Sequence, residues 1–230
     1  DLRVARGAAR GVIDFTGRRA FVTGGGRGIG RATVLLLAQG GARVAVGYRS
    51  RREEAEETLR AAQAGPASDR AVAVGGDLGD PEVARRVVEQ VAANLDSVFF
   101  VCRAAIPHLA DGGRIVLVAS TADQRGEAFH TDYAATKGAV IALTKSLAVE
   151  LAPRVNVNCV APGWEDTAMA RTPYGRDEGN GRREIERTIP LGRVASPEDI
   201  AGPIAFLCSG LARHITGEIL NVNGGSVLCG

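Results

Sequence analysis

The sequence predicts an α/β fold built on a parallel sheet. Short runs of β-branched and apolar residues alternate along the chain with longer segments of helical character. The strand-like runs are apolar almost throughout, which is typical of strands buried on both faces of a sheet. At 230 residues the chain has the length of one ordinary domain. We therefore expect a doubly wound parallel sheet in a single domain at residues 14–230, preceded by an N-terminal extension at residues 1–13.

The order of the predicted elements follows from these runs and from local stop signals. Predicted strands lie at Arg19–Thr23, Arg43–Gly47, Ala71–Gly75, Arg114–Ala119, Val155–Val160 and Glu218–Val222. Predicted helices lie at Gly28–Ala38, Arg52–Ala64, Asp80 to about Ala92, Leu95–Leu109, Asp132–Leu151 and Ser196 to about Ser209. The helices that begin at Asp80 and Ser196 each have an N-cap residue, a following proline and an acid in the first turn. The polar, glycine-rich stretch Arg171–Arg187 is predicted to be a long binding loop.

Composition excludes several classes of function. Lys and Arg exceed Asp and Glu by only two, which is too balanced for a nucleic-acid or polybasic membrane surface. The sequence has no apolar run of 18 residues, so no transmembrane helix is expected. The four cysteines are far apart and form no Cys-x-x-Cys pair, so neither a metal site nor a disulfide framework is predicted. A cytoplasmic location is the default expectation for this cysteine usage.

The first strand and the first helix are joined by a glycine-rich turn. Residues Thr23–Gly30 read TGGGRGIG, which differs from the G-x-G-x-x-G spacing. Such a turn aims backbone N–H groups and the positive end of a helix at one point, which suits a pyrophosphate. Glycine allows the backbone to approach the ligand closely. A purely structural tight turn is the alternative interpretation.

Basic residues at the end of the second strand favour NADP(H) over NAD(H). Sites for NAD usually carry an acid there to hold the ribose 2′-hydroxyl. This sequence has Arg49 and Ser50 instead, and Arg27 lies inside the glycine turn. Guanidinium groups and a hydroxyl suit a 2′-phosphate, whose charge an acid would repel. The alternative is that these arginines are merely solvated.

Tyr133, Lys137 and Ser120 form the candidate catalytic group. Tyr133 and Lys137 are four residues apart on a predicted helix, so their side chains lie on one face. A neighbouring ammonium favours the phenolate, which makes proton exchange with an alcohol or a carbonyl feasible. Ser120 follows a predicted strand, at the sheet edge where active sites of parallel sheets lie. No G-x-S-x-G motif is present, so a hydrolase is not expected.

These pieces together resemble the short-chain dehydrogenase/reductase family. The resemblance is carried by TGGGRGIG, Gly76–Leu78, Asn94-Leu95, Ser120, YAATK at Tyr133–Lys137, Val160–Gly163, Asp166-Thr167 and Ile215–Gly225. They span nearly the whole chain in the family's order. Ile189–Arg193 and the C-terminal segment resemble especially the branch that contains 3-oxoacyl-carrier-protein reductases, which also holds sugar, polyol and other ketone reductases. The resemblance implies a Rossmann-like fold and hydride transfer between a nicotinamide and a carbonyl carbon.

The resemblance also implies residue roles. Tyr133 would be the proton donor in ketone reduction, Lys137 would bind the nicotinamide ribose and lower the pKa of Tyr133, and Ser120 would orient the carbonyl. Asn94 would hold a water that continues a proton relay. Asp77 and Leu78 would border the adenine, while Pro162, Gly163 and Thr167 would flank the nicotinamide. The cofactor-binding turn would comprise Thr23, Gly24, Gly26, Arg27, Gly28, Ile29 and Gly30.

Several partners and alternatives accompany this interpretation. A small-molecule ketone or alcohol, with or without an acyl-carrier protein, is the expected substrate. The small residues of Tyr133–Leu151 and the phenylalanines Phe99 and Phe100 predict a helix-to-helix interface, and the family is commonly tetrameric, so a homotetramer or a dimer is expected. No nucleic-acid, membrane or metal partner is expected. Sugar, polyol or other alcohol oxidation is the alternative activity.

One departure from the family's pattern concerns the fourth strand. Relatives have a strand and an Asn-Asn-Ala-Gly turn before the helix of Asn94, but only 17 positions separate Asp77 from Asn94 here. The absent strand normally lies at the sheet centre, so its neighbours would be left about 10 Å apart instead of about 4.8 Å. Either the protein has a further segment of roughly 30–40 residues, the size of a strand and helix, that is missing from this sequence, or it carries a true deletion. A true deletion favours a catalytically impaired, cofactor-binding relative.

Overall fold

The computed structural model describes residues 13–64, 71–75, 88–166 and 178–228, with only the backbone described at 88–94, 96 and 178–180. The chain divides into two compact units, which lie within Asp1–Gly75 and Gly76–Gly230. The predicted N-terminal extension and the predicted cap at Asp80 lie outside the described residues. The boundary predicted at residues 13 and 14 therefore stays a prediction.

The first unit is a three-stranded parallel sheet in the order β1-β2-β3. Its elements are β1 (Arg19–Val22), α1 (Gly28–Gln39), β2 (Arg43–Tyr48), α2 (Arg52–Gln63) and β3 (Val72–Gly75). Both helices pack against this sheet and against each other. All five agree with the predicted elements to within one or two residues.

The two faces of this sheet differ in burial. Val44 and Val46 are buried on the face that α1 covers, together with Val34 of that helix. Phe21 lies opposite Ala45, and Ala45 lies opposite Val72, so these residues form one row on the other face. Phe21 is 45% exposed and Val72 is 56% exposed. One face of the first sheet is therefore a buried core and the other is half open to solvent.

The second unit contains a three-stranded parallel sheet in the order β4-β5-β6. Its elements are α3 (Val88–Ala105), β4 (Gly113–Val118), α4 (Ala122–Arg125), α5 (Thr131–Leu151), β5 (Val155–Pro162), α6 (Glu178–Arg187), α7 (Pro197–Cys208) and β6 (Ile219–Val222). Short 3₁₀ turns occupy Ile106–His108 and Gly210–Ala212.

The central strand β5 is buried along nearly its whole length because helices α5 and α7 both pack on it. Val157, Cys159 and Ala161 join a core cluster with Val140 and Leu147 of α5. Asn158, in the same strand, is fully buried, and its side-chain nitrogen and oxygen both have hydrogen-bond partners. Its amide donates to the Ile215 carbonyl at 2.9 Å and its oxygen accepts from the Glu218 amide at 3.0 Å. These bonds tie β5 to the segment that leads into β6.

The predicted fold class is confirmed: the protein is an α/β Rossmann-type fold with parallel strands. The described strands form two three-stranded sheets instead of the one sheet that was expected. Within the described residues, β1 pairs only with β2 and β4 pairs only with β5. None of the described helices is both long enough and apolar enough to cross a membrane.

Two predicted boundaries are wrong. A helix ending near Ala92 and a second one starting at Leu95 were expected, but α3 runs without interruption from Val88 to Ala105. The Arg171–Arg187 loop prediction is also wrong in its second half, which forms α6; residues 171–177 lie outside the described part. Arg182 stabilises α6 by pairing with Glu186 one turn on at 2.9 Å and with Asp166 at 2.8 Å. The glycines at 179 and 181 had suggested a loop, but these ion pairs favour the helix.

The cap of α7 confirms its sequence prediction. The Ser196 hydroxyl accepts a hydrogen bond from the Asp199 amide, and the Asp199 carboxylate accepts one from the Ser196 amide at 2.8 Å. Arg193 in turn pairs with Asp199. Ser196-Pro197-Glu198 therefore starts this helix as the sequence indicates.

Candidate active site

The glycine-rich turn of the first unit is held by very close backbone contacts. A Cβ on Gly30 would lie 2.2 Å from the Gly24 carbonyl oxygen, and one on Gly26 would lie 3.0 Å from the Ala55 nitrogen. Gly24 has a φ of +62°, a left-handed conformation that favours glycine. From α2, the buried Thr58 hydroxyl donates to the Gly26 carbonyl at 2.9 Å. The glycines are therefore required by the shape of the turn.

The start of α1 fits an anionic group. Arg27 occupies its N-cap in an extended conformation, and no side chain caps the helix there. The first turn carries no acidic residue. The first N–H groups and the positive end of the helix dipole are thus available to a phosphate. The glycines of the turn carry no side chains that would block a ligand, and no side chain caps the helix start. Together these two features fit the pyrophosphate of a dinucleotide.

The basic residues predicted to select NADP(H) differ in their surroundings. The guanidinium of Arg27 lies 3.8 Å from Glu54, whose carboxylate is also bonded to Arg51 at 2.7 Å. Arg49 and Ser50 are exposed directly after β2. Within the described part of the chain, Arg49 makes no ion pair. Glu54 therefore partly neutralises Arg27, whereas Arg49 keeps its charge available.

In the second unit, Ser120 lies two residues beyond the end of β4. Its amide donates to Asp123 at 3.3 Å, and its hydroxyl accepts from the Ala122 amide at 3.2 Å. These contacts fix the short turn into α4. The hydroxyl also interacts with the phenol of Tyr133, so the structure brings the predicted serine and tyrosine together.

Tyr133 and Lys137 lie one turn apart near the start of α5, as the spacing predicts. The Lys137 ammonium lies 5.6 Å from the centre of the Tyr133 ring. It donates a hydrogen bond at 3.0 Å to the Val118 carbonyl, the last residue of β4. This bond anchors the lysine to the same strand end that presents Ser120. The three predicted catalytic side chains therefore meet at one place.

The electrostatics of this pair differ from the expectation. Burial raises the pKa of Tyr133 above its ordinary value, and the interaction with the Ser120 hydroxyl only opposes that rise. Burial also lowers the pKa of Lys137, against electrostatic interactions with Cys159, Asp123 and Glu165. The predicted lowering of the Tyr133 pKa by Lys137 is therefore not found in the structure. For Tyr133, desolvation and the nearby carboxyls of Glu165 and Asp123 outweigh the interaction with the Ser120 hydroxyl.

The end of β5 places two predicted cofactor residues beside its neighbouring strands. The Pro162 carbonyl accepts from the Thr121 amide at 3.0 Å, and the Gly163 amide donates to the Val222 carbonyl at 3.1 Å. A Cβ on Gly163 would lie 2.8 Å from the Asn223 Cβ. Both residues therefore lie at the carboxyl end of the sheet, where α/β folds bind ligands.

Four predicted site residues are not tested by this geometry. Asp77, Leu78 and Thr167 lie outside the described residues, and of Asn94 only the backbone within α3 is described. Because α3 packs against α5, the helix of Asn94 is a neighbour of the helix of Tyr133. The roles of these four residues stay predictions.

Two carboxyl groups of the site were missed by sequence reasoning. Burial raises the pKa of Asp123, and it raises the pKa of Glu165 to about 7. One oxygen of each is fully enclosed and has no hydrogen-bond partner. An acid three residues after Ser120 and another two residues after Gly163 were the signals in the sequence. Among the described residues, no three His, Cys, Asp or Glu side chains are grouped so that they could hold a metal ion.

Comparison with known proteins identifies the family. A family model described as short chain dehydrogenase matches residues 18–95, and one described as enoyl-(acyl carrier protein) reductase matches residues 88–226. The chain belongs to the short-chain dehydrogenase/reductase family. It is accordingly an oxidoreductase of CH–OH and C=O groups, in a family that binds a nicotinamide cofactor.

Individual relatives cover nearly all of the chain. Versicolorin reductase of Emericella nidulans is 33% identical over 91% of this chain and 96% of its own length. The 3-oxoacyl-[acyl-carrier-protein] reductase of Chlamydia pneumoniae is 33% identical over 93% of this chain and 98% of its own. The crystal structure of the angucycline C-6 ketoreductase LanV with bound NADP has a TM-score of 0.83 and 29% identity, and covers 94% of this chain and 98% of that one.

These comparisons also bear on the length of the chain. The match to versicolorin reductase extends over 254 positions, whereas the whole chain has 230 residues. Because the match includes 91% of this chain, about 209 residues, about 45 of those positions are gaps in this chain. Versicolorin reductase therefore contains residues that have no counterpart in this sequence.

Proposed function

We propose that the protein reduces a ketone to a secondary alcohol with NADP(H), with a 3-oxoacyl thioester or a related carbonyl compound as substrate. The observation that carries this proposal is the meeting of Ser120, Tyr133 and Lys137 at the carboxyl end of β4. When bound, the nicotinamide supplies the hydride for the carbonyl carbon.

The side chains of the second unit supply orientation and the proton. The Ser120 hydroxyl holds the substrate oxygen next to the phenol of Tyr133. Tyr133 then donates its proton to that oxygen as negative charge develops there. Its raised pKa suits the acid role because the phenol remains protonated at neutral pH. Lys137 stabilises the phenolate that remains and binds the nicotinamide ribose.

Removing the phenolic hydroxyl of Tyr133 tests the proposal. We expect Tyr133→Phe to lose about 10²- to 10⁴-fold in kcat with acetoacetyl thioesters, the usual contribution of a general acid. Its affinity for NADPH, measured by fluorescence titration, should remain. Tyr48→Phe is the matched control, since Tyr48 lies on β2 in the first unit. Near-normal turnover by Tyr133→Phe would refute the assignment.

The substrate class needs a wider panel. Acetoacetyl thioesters, cyclic ketones and polyols should be offered to the same enzyme with both cofactors. Reduction of the thioester or cyclic ketone supports the proposal, whereas polyol oxidation alone favours the alternative activity. Cofactor binding without turnover of any substrate would indicate the impaired relative that a true deletion implies.

The preference for NADP(H) is supported by Arg49 and Ser50, which follow β2 where an acid would select NAD(H). We expect Arg49→Glu to weaken NADPH binding by about ten- to a hundredfold, the value of a charge-assisted hydrogen bond. NADH binding should not weaken. Arg60→Glu, an exposed arginine near the end of α2, is the control. Equal NADPH affinity in wild type and Arg49→Glu would exclude the preference.

We also propose a homotetramer or dimer and a cytoplasmic location. Phe99 and Phe100 on α3 are 44% and 42% exposed and pack edge to face at 5.7 Å, which suits a buried interface between copies. Light scattering measures the assembly directly, and a monomer at micromolar concentration would refute it. An acyl-carrier protein as the carrier of the substrate is part of the same proposal.

A further inference from the structure

Glu165 lies at an unusual place for a charged side chain. It is the third residue after the end of β5, and its backbone bridges to Ala195. On either side, the Asp166 amide donates to the Ala195 carbonyl at 2.8 Å and the Ala195 amide donates to the Trp164 carbonyl at 3.0 Å. These hydrogen bonds fix the backbone at Glu165, and its side chain therefore extends from the segment directly after β5.

The carboxyl group of Glu165 is directed into the catalytic group. One of its oxygens is fully enclosed and has no hydrogen-bond partner. The carboxyl interacts electrostatically with both Tyr133 and Lys137 of α5. By contrast, the next residue, Asp166, pairs with Arg182 of α6. A buried carboxyl oxygen without a hydrogen-bond partner is costly, so its place beside a buried ammonium calls for a functional account.

The Lys137 ammonium needs such a carboxylate. Its hydrogen bond to the end of β4 goes to the uncharged Val118 carbonyl. The titratable groups that interact with it are Asp123 from α4, Cys159 from β5 and Glu165, and Tyr133 lies on its own helix. Burial raises the pKa of Cys159 to about 11, so this thiol is neutral near pH 7. The negative charge that can keep Lys137 protonated therefore resides on Asp123 and Glu165.

We propose that Glu165 is a positioning residue that keeps the buried Lys137 ammonium charged and thereby supports proton donation by Tyr133. This inference rests on the proposed roles of Tyr133 and Lys137. Glu165 acts through the lysine and does not touch the reacting atoms. Because its own pKa lies at about 7, this support is complete above neutrality and fades as the carboxyl is protonated below it.

The test measures the titration of Lys137 independently of activity. Wild type, Glu165→Gln and Glu165→Asp are labelled with acetic anhydride across a pH series, and acetylation of Lys137 is followed by mass spectrometry. We expect the labelling midpoint of Glu165→Gln to fall by about one pH unit, the lower range for loss of a nearby opposite charge. Glu165→Asp should restore much of the shift. Glu150→Gln removes an exposed carboxylate at the far end of α5 and should leave the midpoint unchanged.

The same variants then enter the ketone reductase assay. The alkaline limb of kcat should move to lower pH in Glu165→Gln by the same amount, with KM for the ketone little changed. An unchanged Lys137 midpoint in both Glu165 variants would overturn the inference, whatever the activity. A shifted midpoint in a protein whose wild type reduces no ketone would support the Glu165–Lys137 coupling while refuting the proposed function. Circular dichroism checks the fold, and Glu165→Ala, which also removes the carboxyl, replaces Glu165→Gln if the glutamine variant does not fold.

Discussion

The first unit builds the proposed phosphate-binding turn from its backbone, whereas the second unit builds the proposed catalytic group from buried side chains. In the first, contacts too close for a Cβ at Gly25 and Gly30 and a left-handed backbone at Gly24 define the turn. In the second, Tyr133, Lys137 and Glu165 are ionisable groups that burial drives away from their ordinary pKa values.

The sheets of the two units also differ in burial. The central strand β5 is covered by α5 and α7, and its residues are buried almost throughout. In the first sheet, Phe21, Val72 and Val74 remain about half exposed on one face. Low-dielectric surroundings raise the pKa of a carboxyl or a phenol, and the second unit provides them. A phosphate-binding turn needs accessible backbone N–H groups instead. In the first unit, no side chain caps the start of α1.

The largest effect is expected from the backbone turn. In Gly30→Ala, the new Cβ would lie 2.2 Å from the Gly24 oxygen and 2.8 Å from its carbonyl carbon, neither of which can rotate away. We expect a loss of about 3 kcal/mol in the free energy of unfolding, at the upper end for overpacking, and loss of NADPH binding. Urea unfolding and fluorescence titration measure these.

Gly202→Ala in α7 is the matched control for that substitution. A Cβ at position 202 meets nothing within 4 Å, so alanine should stabilise this helix by up to about 1 kcal/mol. If both variants unfold at the urea concentration of the wild type, the turn is less constrained than its geometry indicates.

The next largest effect concerns the buried carboxyl of the second unit. Folding raises the pKa of Glu165 from the ordinary glutamate value of 4.5 to about 7. Between these values the unfolded chain releases the proton that the folded protein keeps, so the folded state loses stability as the pH rises. The loss is complete above pH 7 and amounts to something on the order of 3 kcal/mol.

Glu165→Gln should abolish this pH dependence. Relative to wild type, the variant should gain stability between pH 5 and pH 8 in urea unfolding, although it loses activity at alkaline pH. Parallel stability profiles for the two proteins would contradict the burial of this carboxyl. The Glu150→Gln variant again serves as the control.

The smallest effect compares two helix starts. Ser196 caps α7, whereas Arg27 at the N-cap of α1 provides no side-chain cap. Ser196→Ala should cost about 1 kcal/mol, and Arg27→Ala should change stability by less than about 0.5 kcal/mol. Urea unfolding of the free proteins decides this. An equal cost at both positions would imply that α1 is capped in another way.

Local sequence signals predicted the backbone of this protein well. The glycine turn, the Ser196 cap and the Tyr133–Lys137 spacing depend on residues within a few positions of one another, and each is found where the sequence places it. The fold class followed from the alternation of strands and helices. The order of the family's motifs along the chain identified Ser120 as a partner of Tyr133, although they are thirteen positions apart.

Tertiary electrostatics could not be predicted in this way. The direction of the Tyr133 pKa depends on burial and on two carboxyls that come from the ends of different strands. Glu165 is 28 residues from Lys137 in the sequence, and the packing of α5 on β5 brings their elements together. Helix α6 was missed because its ion pair with Asp166 spans 16 residues.

The half-exposed face of the first sheet has a consequence for the newly synthesised chain. The first unit is synthesised before the second and presents Phe21, Val72 and Val74 to solvent. Within the described residues, β1 also leaves one edge unpaired. An exposed strand edge beside an apolar row promotes intermolecular association. Residues 13–75 expressed alone should therefore aggregate, which light scattering of that fragment would measure.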